Sequence, residues 1–343
     1  MESHQNGGEQ MNILITGSNG FVGSALMWRL EYEGHSVIGI DRSVHCEEDS
    51  HPHTHYGDIR YLASWQKFHA SHIDKLLPGI DLIIHCAAAK HDFGISREEY
   101  FSHNELGTKT LLTYMESYKI NRLIFFSTVS VYGHPDQRTD ETGAYLPDND
   151  YGASKLAGDT LCRLWQQKQP DRELLILRPT IIYGPYNYTN LYNMLHYMHI
   201  CPLLTIGRGD YIKSIVSRAN ILDMTCFALG RLQPGVTIYN CVDKPYITVN
   251  QLMQLISRNP AFRMPSIQIP VAVAIAIGKV FDVPVKLLKL DLPINSERMR
   301  KLATPTDVAS ERIRQDGYIQ QHTIEEEITT MTAWYLTRKK RSI

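Results

Sequence analysis

Two kinds of apolar pattern alternate along the first half of the chain. Short runs with apolar centres stand at 12–16, 36–41, 81–86, 122–128 and 173–178. Between them, 21–33, 98–118 and 151–167 repeat apolar residues at helical spacing; in the first, Phe21, Val22, Ala25, Leu26 and Leu30 share one face. Strands that lack polar alternation are covered on both faces, so the pattern predicts parallel strands crossed by helices. The fold class is α/β, a doubly wound parallel sheet of Rossmann type with right-handed crossovers.

Past Pro185 the rhythm loosens. Helices are expected at 191–199, 220–231, 249–257, 296–302, 307–315 and 324–336. Strands are expected at 211–216 and at 236–241, the latter returning to the main sheet. The apolar run 271–280 is read as a buried helix rather than an interfacial element. Residues 11–186 and 213–246 are therefore assigned to the sheet domain. Residues 187–212 and 247–343 are assigned to a smaller, mostly helical, discontinuous domain, and 1–10 to a disordered tail.

Composition narrows the partners. Lys plus Arg is 35 against 36 for Asp plus Glu, a formal charge of −1, so neither nucleic acid nor an anionic membrane is expected as main partner. With 43% hydrophobic and 21% charged residues the chain reads as a soluble globule with a large core. No run is long and uninterrupted enough to span a bilayer, and no signal peptide is visible. The cysteines (Cys46, Cys86, Cys162, Cys201, Cys226, Cys241) are scattered, which suits free thiols in a cytoplasmic protein. His51, His53 and His55 alternate on an extended segment without a Cys or carboxylate partner, so no metal site is expected.

Candidate chemistry begins after the first strand. Thr16-Gly-Ser-Asn-Gly-Phe-Val-Gly23 links that strand to a helix. Gly17 permits the turn, Gly20 lets backbone approach a pyrophosphate, and Gly23 lets helix pack on strand, with the helix N-terminus favouring phosphate charge. About 18 residues beyond Gly23, Asp41 ends the second strand, where a carboxylate accepts ribose hydroxyls and repels a 2′-phosphate, favouring NAD over NADP. Arg42 beside it is the residue type that would hold such a phosphate. Asp58 falls where a third strand should end and faces the adenine amino group in this reading. Cys86, Ala87 and Ala88, after the fourth strand, leave room for the cofactor against backbone.

Tyr151-Gly-Ala-Ser-Lys155 places a phenol and an ammonium four apart on one helical face. A free tyrosine, with a pKa near about 10, is a poor base at neutral pH; a nearby Lys and a positive nicotinamide ring would stabilise its phenolate. Phe126-Ser-Thr-Val-Ser-Val-Tyr-Gly133 aims further hydroxyls at the same edge of the sheet.

These residues carry a resemblance. From Met11 to about Leu336 the chain resembles the extended short-chain dehydrogenase/reductase family, in its NAD-dependent epimerase/dehydratase branch. The matching elements are Thr16–Gly23, Asp41, Gly57-Asp58, His85–Ala88 and Asn104-Glu-Leu-Gly-Thr108, followed by Ser127–Gly133, Tyr151–Lys155 and Arg178-Pro-Thr-Ile-Ile-Tyr-Gly-Pro185. The resemblance implies Tyr151 as general acid/base, and Lys155 as its phenolate-stabilising partner and nicotinamide-ribose ligand. It implies Thr128 as the hydroxyl bonded to the reacting group, Ser127 as its neighbour at the cofactor, and Asn104 as support for the proton network. Asn19, Phe21, Val22, Ile59, Lys90, Pro179 and Ile182 join the implied cofactor contacts.

Ser130, Asn187, Arg208, Lys213 and Arg298 join Thr128 as implied substrate positions, the three cations as ligands of a diphosphate. Dehydratases of the branch place an acidic pair after the catalytic Thr; here Val129 and Ser130 stand there, so dehydration is disfavoured. The expected activity is nucleotide-sugar epimerisation at carbon 4, with a UDP-sugar favoured. Tyr151 takes the hydroxyl proton, hydride passes to a tightly held NAD, and a transient 4-keto sugar rotates before hydride returns. A net NAD(P)-dependent dehydrogenase or reductase, acting on a nucleotide sugar or a sterol-like alicyclic alcohol, stays open, as does a non-catalytic dinucleotide sensor. Dimerisation through the helices at 98–118 and 151–167 is the family's habit.

Overall fold

The computed structural model describes residues 10–43, 51–74, 79–90, 94–200, 202, 204–276, 278–279 and 304–341. Its strands are β1 (Asn12–Thr16), β2 (Ser36–Asp41), β3 (Thr54–Tyr56), β4 (Leu82–His85), β5 (Arg122–Phe126), β6 (Glu173–Pro179), β7 (Ile181–Tyr183), β8 (Leu204–Ile206), β9 (Ile215–Ser217), β10 (Gly235–Cys241) and β11 (Ile267–Ile269). Seven of them form one parallel sheet in the order β10-β6-β5-β4-β1-β2-β3. The expected return of 236–241 to this sheet is β10.

Each strand feeds two cores because successive side chains alternate across the sheet. In β1, Ile13 and Ile15 enter the core beneath the helices Gly23–Tyr32 and Arg218–Leu229, while Leu14 enters the opposite core with Trp65, Leu111 and Trp165. Connectivity reverses between β1 and β4, where Thr16 lies beside His85. A crevice opens at the carboxyl ends of strands at such a switch point, and ligands bind there in open α/β sheets.

A third core joins Leu191 and Leu195 of helix Asn190–Ile200, Leu252 and Ile256 of helix Val249–Ser257, and Ile328, Met331 and Tyr335 of helix Ile324–Arg341. Ile313 and Tyr318 pack instead into the core beneath Gly23–Tyr32, so the chain near 313–318 returns to the sheet.

Several expectations are corrected. The helix expected at 98–118 is interrupted: Arg97–Phe101 and Gly107–Ser117 flank a π-helical turn at Ser102–Leu106. The strand expected at 211–216 is reduced to β9, because Ile212 and Lys213 form only isolated bridges to Thr248 and Thr306. The helix expected at 307–315 is only Glu311–Gln315, since Val308 bridges Thr139. The expected helix 296–302 lies outside the described residues. Within the apolar run 271–280, helical residues 271–276 are not buried as a whole: Ala274 and Gly278, four apart, face inward, while Ala272, Val273 and Ala276 are exposed. His51 is buried against Glu31 at 3.0 Å and His55 stacks on His72 at 3.8 Å; among the described residues no cluster of three or more His, Cys, Asp or Glu could hold a metal. No described helix is long and apolar enough to cross a membrane.

Candidate active site

The glycine loop is built by close backbone approach. Gly17 has φ +69, donates to the Ile40 carbonyl at 2.9 Å, and a Cβ there would lie 2.7 Å from the Ala87 nitrogen. A Cβ on Gly23 would land on the Gly17 carbonyl oxygen. Gly20 donates back to the Gly17 carbonyl at 2.9 Å, and Val22 stands at the helix N-terminus. Asp41 braces the loop, accepting the Asn19 N–H at 3.0 Å and the Ser43 N–H at 2.8 Å. This is a cradle that side chains would fill, at a helix N-terminus, with a carboxylate at the end of β2; it fits a dinucleotide. Arg42, Ala88, Ala89, Gly94, Ile95, Glu99 and His103 line an adjoining cleft of about 260 Å³, with Arg42 Nη1 3.3 Å from His103 Nε2. A larger depression, about 380 Å³, lies on the outer side of helix Gly23–Tyr32, against Trp28 and Tyr32, and is lined by neither Tyr151 nor Lys155.

Across the switch point, helix Asp150–Gln167 carries Tyr151 and Lys155. Asn149 caps its start by accepting the Gly152 N–H at 2.8 Å. A Cβ on Gly152 would sit 2.5 Å from the Ser130 carbonyl oxygen, so the bare glycine brings the first turn of this helix against the Thr128–Ser130 turn. Thr128 Oγ1 accepts the Ser130 N–H at 3.2 Å and donates to Ser130 Oγ at 3.3 Å. Lys155 is buried, its ammonium 4.4 Å from the Phe125 ring centre, and burial lowers its pKa to about 8. Tyr151 is half-buried, its ring 6.1 Å from that of Tyr100.

A buried chain of polar groups joins the glycine loop to this helix. Thr108 Oγ1 gives its one proton to the Asn104 carbonyl at 2.6 Å, so His85 Nε2, 3.1 Å away, is the donor to Thr108. His85 Nδ1 then accepts from Thr16 Oγ1 at 2.6 Å, and Thr16 Oγ1 accepts the Ala87 N–H at 3.2 Å. Burial, and secondarily the Lys155 charge, pushes the His85 pKa down to about 3, in keeping with a neutral ring. Asn104, at the π-helical turn, accepts the Ala89 N–H at 2.8 Å and donates to Ser154 Oγ at 2.9 Å. The turn bulges the helix to aim this one side chain, a use typical of π-turns at functional sites.

Other expected residues are engaged elsewhere. Asp58 is held by Arg60 in a bidentate pair at 2.6 and 3.0 Å, which, outweighing its burial, keeps its carboxyl below the usual range; any adenine contact must share it. The Ile59 carbonyl accepts from the Trp65 indole at 3.1 Å. Phe21 lies 5.0 Å from the Arg218 guanidinium, and the Cys86 N–H donates to the Thr16 carbonyl at 3.1 Å. The Ser127 hydroxyl donates to Asp159 at 3.3 Å. Pro179 ends β6, Ile182 lies in β7, and Lys90 follows the Ala89 backbone that Asn104 grips.

Among the substrate positions, Asn187 is used within its own loop, donating to the Ile182 carbonyl at 2.8 Å and accepting the Thr189 hydroxyl at 2.6 Å. Lys213 Nζ donates to the Thr304 carbonyl at 2.8 Å. The Arg208 side chain is 83% exposed and 3.9 Å from Asp210. Arg298 lies outside the described residues.

Sequence reasoning missed the roles of His85, Ser154 and Gly152, and the buried pair Arg178–Asp159 at 2.8 Å. Arg178 also donates to Tyr132 at 2.7 Å and ties helix Asp150–Gln167 to β6. A His closing an apolar run, and an Arg within one, were signals of buried polar groups needing partners.

The sequence profile of the NAD dependent epimerase/dehydratase family matches residues 13–224. The chain is 29% identical over 315 residues to the N-acetyl-alpha-D-glucosaminyl-diphospho-ditrans,octacis-undecaprenol 4-epimerase of Escherichia coli O157:H7, covering 91% of this chain and 92% of that one. It is 27% identical over 261 residues to the dTDP-D-glucose 4,6-dehydratase of Homo sapiens, covering 72% and 73%. The fold matches the UDP-glucose 4-epimerase of Thermotoga maritima, solved with UDP-glucose, at a TM-score of 0.75 and 18% identity, covering 96% and 100%. With its glycine cradle and Tyr-Lys helix meeting at the switch point, and more than half its length matched, the chain belongs to the NAD dependent epimerase/dehydratase family.

Proposed function

We propose that this protein is an NAD-dependent 4-epimerase of a sugar joined to a diphosphate, with a UDP-sugar as the first candidate. The observation that carries the reading is the Tyr151–Lys155 helix turn pressed against Thr128, followed by Val129 and Ser130 with no acidic pair to eliminate water. Tyr151 Oη takes the proton of the C4 hydroxyl, and Thr128 Oγ1 hydrogen-bonds that oxygen. The buried Lys155 ammonium stabilises the phenolate, and Asn104 fixes the helix that presents both. Gly17, Asn19, Gly20, Val22, Gly23 and Asp41 would hold the NAD, which when bound would supply the hydride acceptor and donor for carbon 4. The sugar ring, released from other contacts as a 4-keto species, turns over before Tyr151 gives the proton back.

A second substrate reading, a sugar on polyprenyl diphosphate, is favoured by the Escherichia coli relative, because that similarity runs through nearly the whole of both chains. We further propose a cytoplasmic homodimer packed through helices Gly107–Ser117 and Asp150–Gln167, with the third core, that of helices Asn190–Ile200, Val249–Ser257 and Ile324–Arg341, forming the sugar-binding unit. The test is to denature the purified protein, identify released dinucleotide, and assay native protein without added coenzyme on UDP-sugars and on a polyprenyl-diphospho-sugar. Bound NAD with interconversion of C4 epimers is expected. An empty site, with coenzyme consumed in proportion to product, would move the function to net oxidation or reduction.

A further inference from the structure

An apolar strip crosses the outer side of the second unit. Ile200 ends helix Asn190–Ile200, and the Arg263 N–H donates to the Met198 carbonyl at 3.0 Å, which sets Met264 beside that helix end. Three residues later Ile267 opens β11, which pairs with β8. The Gly207 N–H after β8 donates to the Ile269 carbonyl at 2.9 Å, and Val271 packs against Gly207, leading directly into the helical turn that bears Val273. Ile200 is 55% exposed, Ile267 52%, Val273 46% and Met264 39%, four apolar side chains on adjoining elements. Exposed apolar side chains grouped on elements joined in this way are the makings of an interaction face.

Charge selects its occupant. Arg263 and Lys279 in the segments that bear the strip are exposed, as is Arg208, which lies 3.9 Å from the exposed Asp210. A second copy docking on this face about a two-fold axis would set Arg263 and Lys279 against their own counterparts, while Asp210 already faces Arg208. An anionic bilayer surface offers what the strip lacks: phosphates for the basic side chains and acyl chains for the aliphatic ones. We propose that this strip docks the protein on anionic lipid bilayers, peripherally and without a span, so that a sugar on polyprenyl diphosphate is met at the membrane surface. The inference rests on the second substrate reading above.

The test is flotation of the full chain with vesicles of phosphatidylethanolamine and phosphatidylglycerol, about three to one, against vesicles of phosphatidylcholine alone. Wild type is expected to float with the anionic vesicles and to be released by high salt. The double variant Ile267→Glu, Val273→Glu, altered only at exposed positions, is expected to lose binding at least about tenfold while converting UDP-sugars in solution at the wild-type rate. Wild type left in solution with both vesicle types would overturn the docking surface, as would a double variant that floats equally well. A self-association abolished by the same substitutions, without vesicle binding, would assign the strip to a second copy instead. Failure to float by a protein that still epimerises UDP-sugars would sink the docking surface alone; flotation by a protein that epimerises nothing would sink the proposed function alone.

Discussion

Asn104 grips both backbone groups of Ala89, accepting its N–H at 2.8 Å and donating to its carbonyl at 3.1 Å. Its remaining amide proton goes to Ser154 Oγ, which itself donates to the Tyr151 carbonyl at 2.9 Å. One carboxamide therefore fixes the segment after β4 relative to the helix that carries Tyr151, the proposed acid/base. Replacing Asn104 with Ala leaves Ala89 unpaired in the interior, at a cost of about 1–3 kcal/mol. The expected result for Asn104→Ala is a kcat reduced about tenfold or more, with KM little changed and a melting temperature lower by several degrees. Steady-state kinetics and a thermal melt read both effects.

Gly152 is a second determinant of the same alignment. Adding a Cβ 2.5 Å from the Ser130 carbonyl oxygen forces the catalytic helix and the Thr128 turn apart. A displacement of about 1 Å at the reacting groups costs on the order of 100-fold in rate. Gly152→Ala is thus expected to lose kcat by about 10- to 100-fold while keeping its dinucleotide, which release on denaturation would quantify. Gly23→Ala, whose Cβ meets the Gly17 carbonyl, is expected instead to lose the dinucleotide itself.

Asp243 gives stability a pH dependence. Burial raises its pKa to about 7, against the opposing effect of hydrogen bonds from the Ser217 N–H at 2.8 Å and the Asn220 amide at 2.9 Å. Between its unfolded value near about 4 and its folded value near 7, the folded chain holds a proton that the unfolded chain releases. This group's contribution therefore falls as pH rises through that window, by on the order of a few kcal/mol in all. Depressed carboxyls such as those of Asp58 and Glu311 act in the opposite sense, but at pH below their unfolded values. Asp243→Asn is expected to flatten the melting temperature between about pH 5 and 7, which calorimetry across that range would record.

Lys155 sets an alkaline limit on turnover. Its pKa is lowered by burial to about 8, so in the proposed mechanism the ammonium assigned to stabilise a Tyr151 phenolate is lost above that pH. The sign for folding is the reverse: between about 8 and 10 the unfolded chain binds the extra proton, so this group adds stability as pH rises. A pH–rate profile is expected to fall on the alkaline side of about 8 while the melting temperature gains from this group over the same interval.

The parts of the site that sequence made legible are local. The glycine loop, Asp41 and the Tyr151–Lys155 pair each depend on spacings of a few residues, or of one strand, and the sheet order follows from apolar runs and crossover rules. The missed features join distant positions. His85 meets Thr16 and Thr108, 69 and 23 residues away, and Lys213 meets Thr304, 91 residues away. The π-helical turn at Ser102–Leu106 was hidden because one extra residue per turn barely alters an apolar period. The helical residues 271–276 illustrate a different failure: apolar sequence predicts burial, and here it forms surface. The Arg60 pair on Asp58 was missed although the two residues stand only two apart, because spacing alone does not say which neighbour shares a carboxylate.

The central claim of the proposal is that the hydride returns to the carbon it left, while Tyr151 takes and gives back the proton of the oxygen on that carbon. Incubation of wild-type protein with a UDP-sugar in D2O, without added coenzyme, tests it directly by mass and magnetic resonance analysis of both C4 epimers. The account predicts full interconversion with no deuterium at carbon 4, and no interconversion by Tyr151→Phe. Deuterium at carbon 4, or undiminished turnover by Tyr151→Phe, would contradict it.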